Sequence, residues 1–373
     1  MKKYAPVWLF IFWAPALQGQ SHSASAIPDS LKQDADVVVR LDEQVTEIKS
    51  PDHITWRRHV IYTILNENGD RYASYRSDYD KFVTINYINA TLYDAGGKEV
   101  KHFKKKDMQD LPLEDGESLV NDARYKTSGF AFHSYPYTVD FEEEDEVATA
   151  LRLQGWTLPR TVRVSLECSR YSIVAPKDYR IRYKMINADL APVVTEKKEK
   201  ITYSWEIKNL IPIPDEPYAV PYTAYEPYML VGPSDIEEDG YKGSMATWND
   251  YAKFYSTLQK GRDVLPDEVK VKVHALTDGI PGPEKKVSVL YDYLQKNTHY
   301  VSIQLGIGGL QAFDAMYVAS KKYGDCKALS NFMVALLKEA GIKAYSVIIY
   351  GGKYPDDFVK DFTYDPFNHV ICC

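Results

Sequence analysis

Cysteine is scarce in this 373-residue chain: only Cys168, Cys326, Cys372 and Cys373 occur, the last two adjacent. Four thiols so spread allow three pairings but do not make the dense disulfide framework of a small secreted scaffold, so each sulfur needs its own reason. Basic charge is short as well. With 45 Lys and Arg against 52 Asp and Glu, the formal net charge of −7 offers no footing for nucleic acid or an anionic membrane surface. No segment repeats at a fixed period. The Gly-rich stretch LGIGGL at 305–310 fits neither a dinucleotide-binding nor a P-loop pattern and reads as a tight loop shaping a cleft.

What is present points to ordinary globular material, 45% apolar and 26% charged. The length exceeds one core and suggests two domains at about 150 residues each. Thirty tyrosines against thirteen phenylalanines favour strands and half-exposed aromatic faces. The chain starts with Lys2 and Lys3, an apolar run over 4–17 and then small residues, the order of a secretory signal peptide. That run is shorter than the roughly 20 residues of a membrane span. Cleavage after Gln20 and after Ala26 both fit, and no cysteine follows to carry a lipid anchor. The expectation is a leader over 1–26 and an exported protein, periplasmic or extracellular, with no membrane insertion after cleavage.

Residues 27–235 read as strands and turns. Extended segments flank Asn66-Glu67-Asn68-Gly69-Asp70 and Asp94-Ala95-Gly96-Gly97, while YRIRYKMIN and KITYSWEIKNL alternate apolar with polar residues. An antiparallel β-sandwich follows. The acidic run DFEEEDEV at 140–147 could hold a cation but reads more simply as a solvated charge cluster, and KKKD at 104–107 as a charged surface loop. Six prolines between Pro212 and Pro233 favour an extended linker over a ladder-forming strand. Helical periodicity begins after it, with Val287, Leu290, Tyr291 and Leu294 at i, i+3, i+4 and i+7. The boundary is expected near 230–242, with a second domain over 240–373.

In that second part Leu329, Phe332, Met333, Leu336 and Leu337 form an apolar stripe, and Gly341 sits where a left-handed cap would end the helix. Counting back puts Cys326 in the first turn, at the edge of the buried face. Taken alone, a small buried hydrophobe would fit there equally well. Yet backbone N–H groups and the helix dipole favour an anion at that end, the setting that makes a cysteine a thiolate nucleophile. Downstream, after a strand and an irregular loop, His369 opens an apolar strand and supplies a base. His53, His59, His102, His133, His274 and His299 lie in no comparable arrangement. A metal site from Cys326, His369, Cys372 and Cys373 is a poorer reading, because adjacent cysteines on a strand point to opposite faces.

The segment YGDCKALSNFMVALLKEAGIKAYSVII, preceded by YVSIQLGIGGLQAF and followed by FNHVI, resembles the core of the transglutaminase-like superfamily. The whole is similar to exported bacterial proteins in which a β-sandwich domain of unknown function precedes that core. The resemblance implies an α+β fold whose C-terminal part is papain-like, with helices packed on an antiparallel sheet. It also implies a Cys-His-Asp triad with Cys326 as nucleophile and His369 as base. The activity implied is amide-bond chemistry on a protein or peptide substrate through a thioester, hydrolysis being favoured over transamidation, with no cofactor. The oxyanion would be held by the Cys326 backbone N–H and a further donor, with Gln311 and Gln304 as candidates. Ala328 departs from the acidic residue many relatives carry there. The triad's acid has no counterpart either. Asp356, Asp357, Asp361 and Asp365 precede His369 and read as loop residues, so the sequence is expected to be a fragment whose reading frame continues with an Asp or Asn on the next strand. The alternative function is a non-catalytic protein- or glycan-binding module on a transglutaminase-like scaffold.

Overall fold

The computed structural model describes residues 22–114, 116, 118–352 and 358–373. Residues 1–21 of the expected leader, and Asp356 and Asp357 of the loop before His369, lie outside them. The described chain is α+β. Its strand-rich part carries an eight-stranded sheet in the order Val193–Lys197, Lys200–Leu210, Val164–Pro176, Val37–Ser50, His53–Ile64, Tyr137–Val147, Val83–Tyr93 and Glu99–Lys104. Every ladder in it is antiparallel except one. Val37–Ser50 and Val164–Pro176 run parallel, from Val37 opposite Val164 to Glu47 opposite Val174. The long chain between these strands supplies the crossover that parallel pairing needs. A second sheet, Ser74–Tyr79, Arg124–Gly129 and Gln109–Pro112, completes the sandwich.

The turns form where the sequence places them. Asn66 caps the 3-10 turn Glu67–Ala73 by accepting from Asn68 N, and Asp94 Oδ1 accepts from Gly96 N and Lys98 N while Gly97 takes φ +85°. The acidic run is a correction. It is not a solvated cluster but the strand Tyr137–Val147, which lies between two neighbours in the large sheet. Period-two alternation sends Tyr137, Val139, Phe141, Glu143 and Asp145 inward, all buried. The opposite face meets cations, with Glu144 bound by Arg57 at 2.6 Å, Glu146 by Lys49 at 3.1 Å and Asp140 by His59 at 2.8 Å. The proline-rich stretch also departs from expectation. It ends in Tyr228–Pro233, the central strand of a sheet with Trp156–Thr157 and Ile181–Ile186, the proline occupying only the last ladder position.

The helices Trp248–Gln259, Asp267–Thr277, Pro283–Asn297, Ala315–Lys321 and Cys326–Glu339 follow. In Pro283–Asn297 only Leu290 and Leu294 are buried, while Val287 and Tyr291 are exposed, because a helix packed on one side hides a narrow stripe. Cys326–Glu339 buries Phe332, Met333, Leu336 and Leu337 as its stripe requires, and Gly341 takes φ +74° just beyond it. These helices share a core with Val269, Val273, Ala315 and Val318. Trp248–Gln259 does not join it. Its Tyr251, Phe254, Tyr255 and Leu258 belong instead to the sandwich core with Trp156, Tyr171 and Trp205, as do Met245 and Val370.

Candidate active site

The start of the helix Cys326–Glu339 is fixed from three sides. Asp325 is its N-cap, Oδ1 accepting from Ala328 N at 3.0 Å. Its other oxygen takes Lys327 Nζ at 2.5 Å and Gln304 Nε2 at 3.2 Å, while Lys327 also donates to Gln304 Oε1 at 3.3 Å. Asp325 and Lys327 are buried, so this triangle ties the helix that Cys326 opens to the strand Ser302–Gln304 through desolvated charge. One turn on, Ser330 Oγ donates to Val370 O at 3.2 Å. The helix is thereby pinned beside His369, which opens His369–Cys372, antiparallel to Ser346–Ile349. Asn368 braces that hairpin by accepting from Gly351 N and donating to Gly351 O.

Cys326 and His369 line one cleft of about 260 Å³. Tyr251, Tyr255, Tyr300, Ser302, Gln304 and Asp365 share its walls, with Gly309 and Leu310 from the Gly-rich loop. All four cysteines are free thiols. Tyr300 lies beside Cys326 in the cleft wall. Burial, and then the neighbouring sulfur, push this phenol up to about 12, so it stays protonated at neutral pH and can donate to a thiolate. Tyr255 is different. Its hydroxyl is buried with no hydrogen-bond partner, and burial raises it far above the usual phenol range. A buried orphan hydroxyl in a cleft wall is a donor waiting for a ligand.

The two glutamines expected to hold the oxyanion are otherwise engaged. Gln311 is not a cleft residue, since its Nε2 donates to Tyr241 Oη and Leu258 O and its Oε1 accepts from Arg262. Gln304 is in the wall, but both its N–H groups are taken, by Ser302 Oγ at 2.9 Å and by Asp325. Its part is to position the helix start. Asp361 binds Lys184 away from the cleft, whereas Asp365 lies in the cleft wall, where Oδ1 accepts from Phe367 N. The sandwich contributes as well: Ser118–Asn121 pairs parallel with Ser302–Gln304, bringing Ser118 into the cleft with its Oγ 3.0 Å from Ser302 Oγ. Tyr255, Tyr300, Ser330 and Ser118 were not legible in the sequence. The one available signal was the aromatic pair at i and i+4 on Trp248–Gln259.

Residues 51–214 match the family described as a domain of unknown function with solved structure (DUF3857), and residues 272–368 the transglutaminase-like superfamily. No curated protein matches the chain. Among solved structures, a putative protease from Parabacteroides distasonis ATCC 8503 aligns over 90% of this chain with TM-score 0.66 at 13% identity. The chain spans 65% of that protein, and at such identity the likeness is one of fold. An M1 zinc metallopeptidase from Deinococcus radiodurans, at TM-score 0.27 and 11% identity over 56% of this chain and 46% of its own, is too distant to carry an argument.

Proposed function

The chain belongs to the transglutaminase-like superfamily through residues 272–368, set behind a DUF3857 domain, and on that premise we propose that it is an exported cysteine enzyme that hydrolyses amide bonds of proteins or peptides. One observation carries the reading: Cys326, at a capped helix start, and His369, on a strand bonded to that helix, line the same cleft. The Cys326 thiolate attacks the amide carbonyl carbon and the carbonyl oxygen takes the charge. As the C–N bond breaks, His369 gives its proton to the leaving nitrogen, leaving a thioester on Cys326. Water, deprotonated by His369, then attacks the thioester and releases the acid and the thiol. The Cys326 N–H is the first oxyanion donor and the Tyr255 hydroxyl is the second. The protease name of the structural neighbour agrees with hydrolysis.

Export follows the N-terminal pattern. Of the two cleavage positions, the one after Gln20 spares the contacts that follow: His22 stacks on Tyr93 at 3.9 Å and bonds Asp140 at 2.8 Å, and Ala24 is buried.

Casein offered with a fluorescent primary amine tests the reading. New amino termini should appear, iodoacetamide should stop their release by labelling Cys326 ahead of Cys372 and Cys373, and the mature chain's mass should begin at Ser21. Amine incorporation at a comparable rate would redirect the assignment to transamidation. No turnover together with equal labelling of the three thiols would sink it. Tyr255→Phe removes a hydroxyl that has no partner at rest, so its Tm should equal or exceed that of the wild type. Its kcat should fall about 10²-fold, the usual effect of losing one oxyanion donor. An unchanged kcat would remove Tyr255 from the reaction.

A further inference from the structure

A second cavity, about 540 Å³, lies between the two sheets of the sandwich. Thr46, Ile54, Trp56, Arg58, Glu143 and Asp145 reach it from the large sheet, and Tyr75, Ser77 and Tyr79 from Ser74–Tyr79. That volume falls within the range of small-ligand sites. Two of its polar groups are unfinished. Asp145 is only 5% exposed and its Oδ1 has no hydrogen-bond partner, and the indole N–H of Trp56 is buried without one. Glu143 beside them is partnered on both oxygens, taking hydrogen bonds from the Tyr75 hydroxyl at 2.6 Å and from Ser77 Oγ, with the Asp145 carboxyl as a further neighbour. Native folds leave few such orphans, and a pair of them on the walls of one cavity calls for a ligand that completes both.

The basic groups around the cavity are already matched. Arg76 binds Asp78 at 2.7 Å, Arg152 binds Asp80 at 2.5 Å and Arg58 binds Asp42 at 3.0 Å. Burial, then the charge of Glu143, push the Asp145 carboxyl up to about 8, so near pH 7 it is a neutral acid that can both donate and accept. A cation would meet three guanidinium groups and would leave the Trp56 N–H unfilled. A hydroxyl serves either orphan, because it donates and accepts at once. Trp56, Tyr75 and Tyr79 add aromatic walls with apolar faces and polar edges.

The geometry points to a binding site for a neutral, polyhydroxylated ligand, a carbohydrate of one or two sugar rings, held between the sheets by Asp145 and Trp56. This site is separate from Cys326 and does not rest on the proposed hydrolysis. Isothermal titration calorimetry of the full chain with maltose, cellobiose and N,N′-diacetylchitobiose should show saturable binding of at least one at a single site. Asp145→Val and Trp56→Phe should each weaken it tenfold or more. Trp56→Phe removes no partnered group and Asp145→Val removes one bond, to the neighbouring Glu143 carboxyl, so both variants should fold, which circular dichroism checks. Absence of binding by all three sugars, or binding that both variants retain, overturns the proposal. So does tighter binding of lysinamide or acetyl-trialanine amide, which would make the cavity a cation or peptide site.

Discussion

Cys326→Ala should abolish amide cleavage, lowering kcat by at least about 10⁴-fold, because no other thiol lines the cleft with a histidine. The fold should be untouched. Cys326 is only partly buried and packs at the edge of the sandwich core, so loss of its sulfur should change stability by less than about 1 kcal/mol. His369→Ala should cost about 10³-fold or more, and the double variant should be no worse than Cys326→Ala, since the two residues act as one unit. Activity surviving above a tenth of wild type in Cys326→Ala, measured by release of new amino termini from casein, would mean that the chemistry happens elsewhere.

Cys326 and His369, the proposed nucleophile and base, stand out in the sequence because each sits on a strong local pattern. Cys326 is fixed by the 3.6-residue stripe running on from it to Leu337, and His369 by the apolar strand it opens. The sandwich was readable too, through alternation and turns at Asn66 and Asp94. The proposed oxyanion donors were not. Gln304 and Gln311 look available in sequence, yet their amides are consumed by Asp325, Ser302, Tyr241 and Leu258, partners that only folding brings together. Tyr255 and Tyr300 stand 71 and 26 positions before Cys326, the first marked only by its i, i+4 pairing with Tyr251 and the second by nothing periodic. The acidic strand was misread for a different reason. A run of six carboxylates among eight residues hides its own alternation, since every second side chain is acidic whichever face it occupies.

Asp325→Ala should destabilise the protein more than any other single change at the site, by about 3–5 kcal/mol. It removes a helix cap worth about 1 kcal/mol. It also strands the Lys327 ammonium, whose side chain is 6% exposed, with only the neutral Gln304 carbonyl for company. Activity should fall with stability, because the same carboxylate orients the turn that presents the thiol. Adding Lys327→Met should recover most of the lost stability, since the buried charge then disappears with its partner. Asp325→Asn, which keeps the cap acceptor, should fall between. Thermal melts of the three variants decide the matter: if Lys327→Met does not rescue Asp325→Ala, the loss comes from the cap and not from the stranded charge.

The shared core described above has a consequence for how the molecule can be taken apart. Tyr251, Phe254, Tyr255 and Leu258 are sequence neighbours of the C-terminal helices but share a core with Trp156 and Tyr171, and the strand that carries His369 reaches the same cluster through Val370. The wall of the cleft is therefore part of the sandwich's interior. The two halves should therefore melt together, and damage deep in the sandwich should be felt as a loosened grip on substrate.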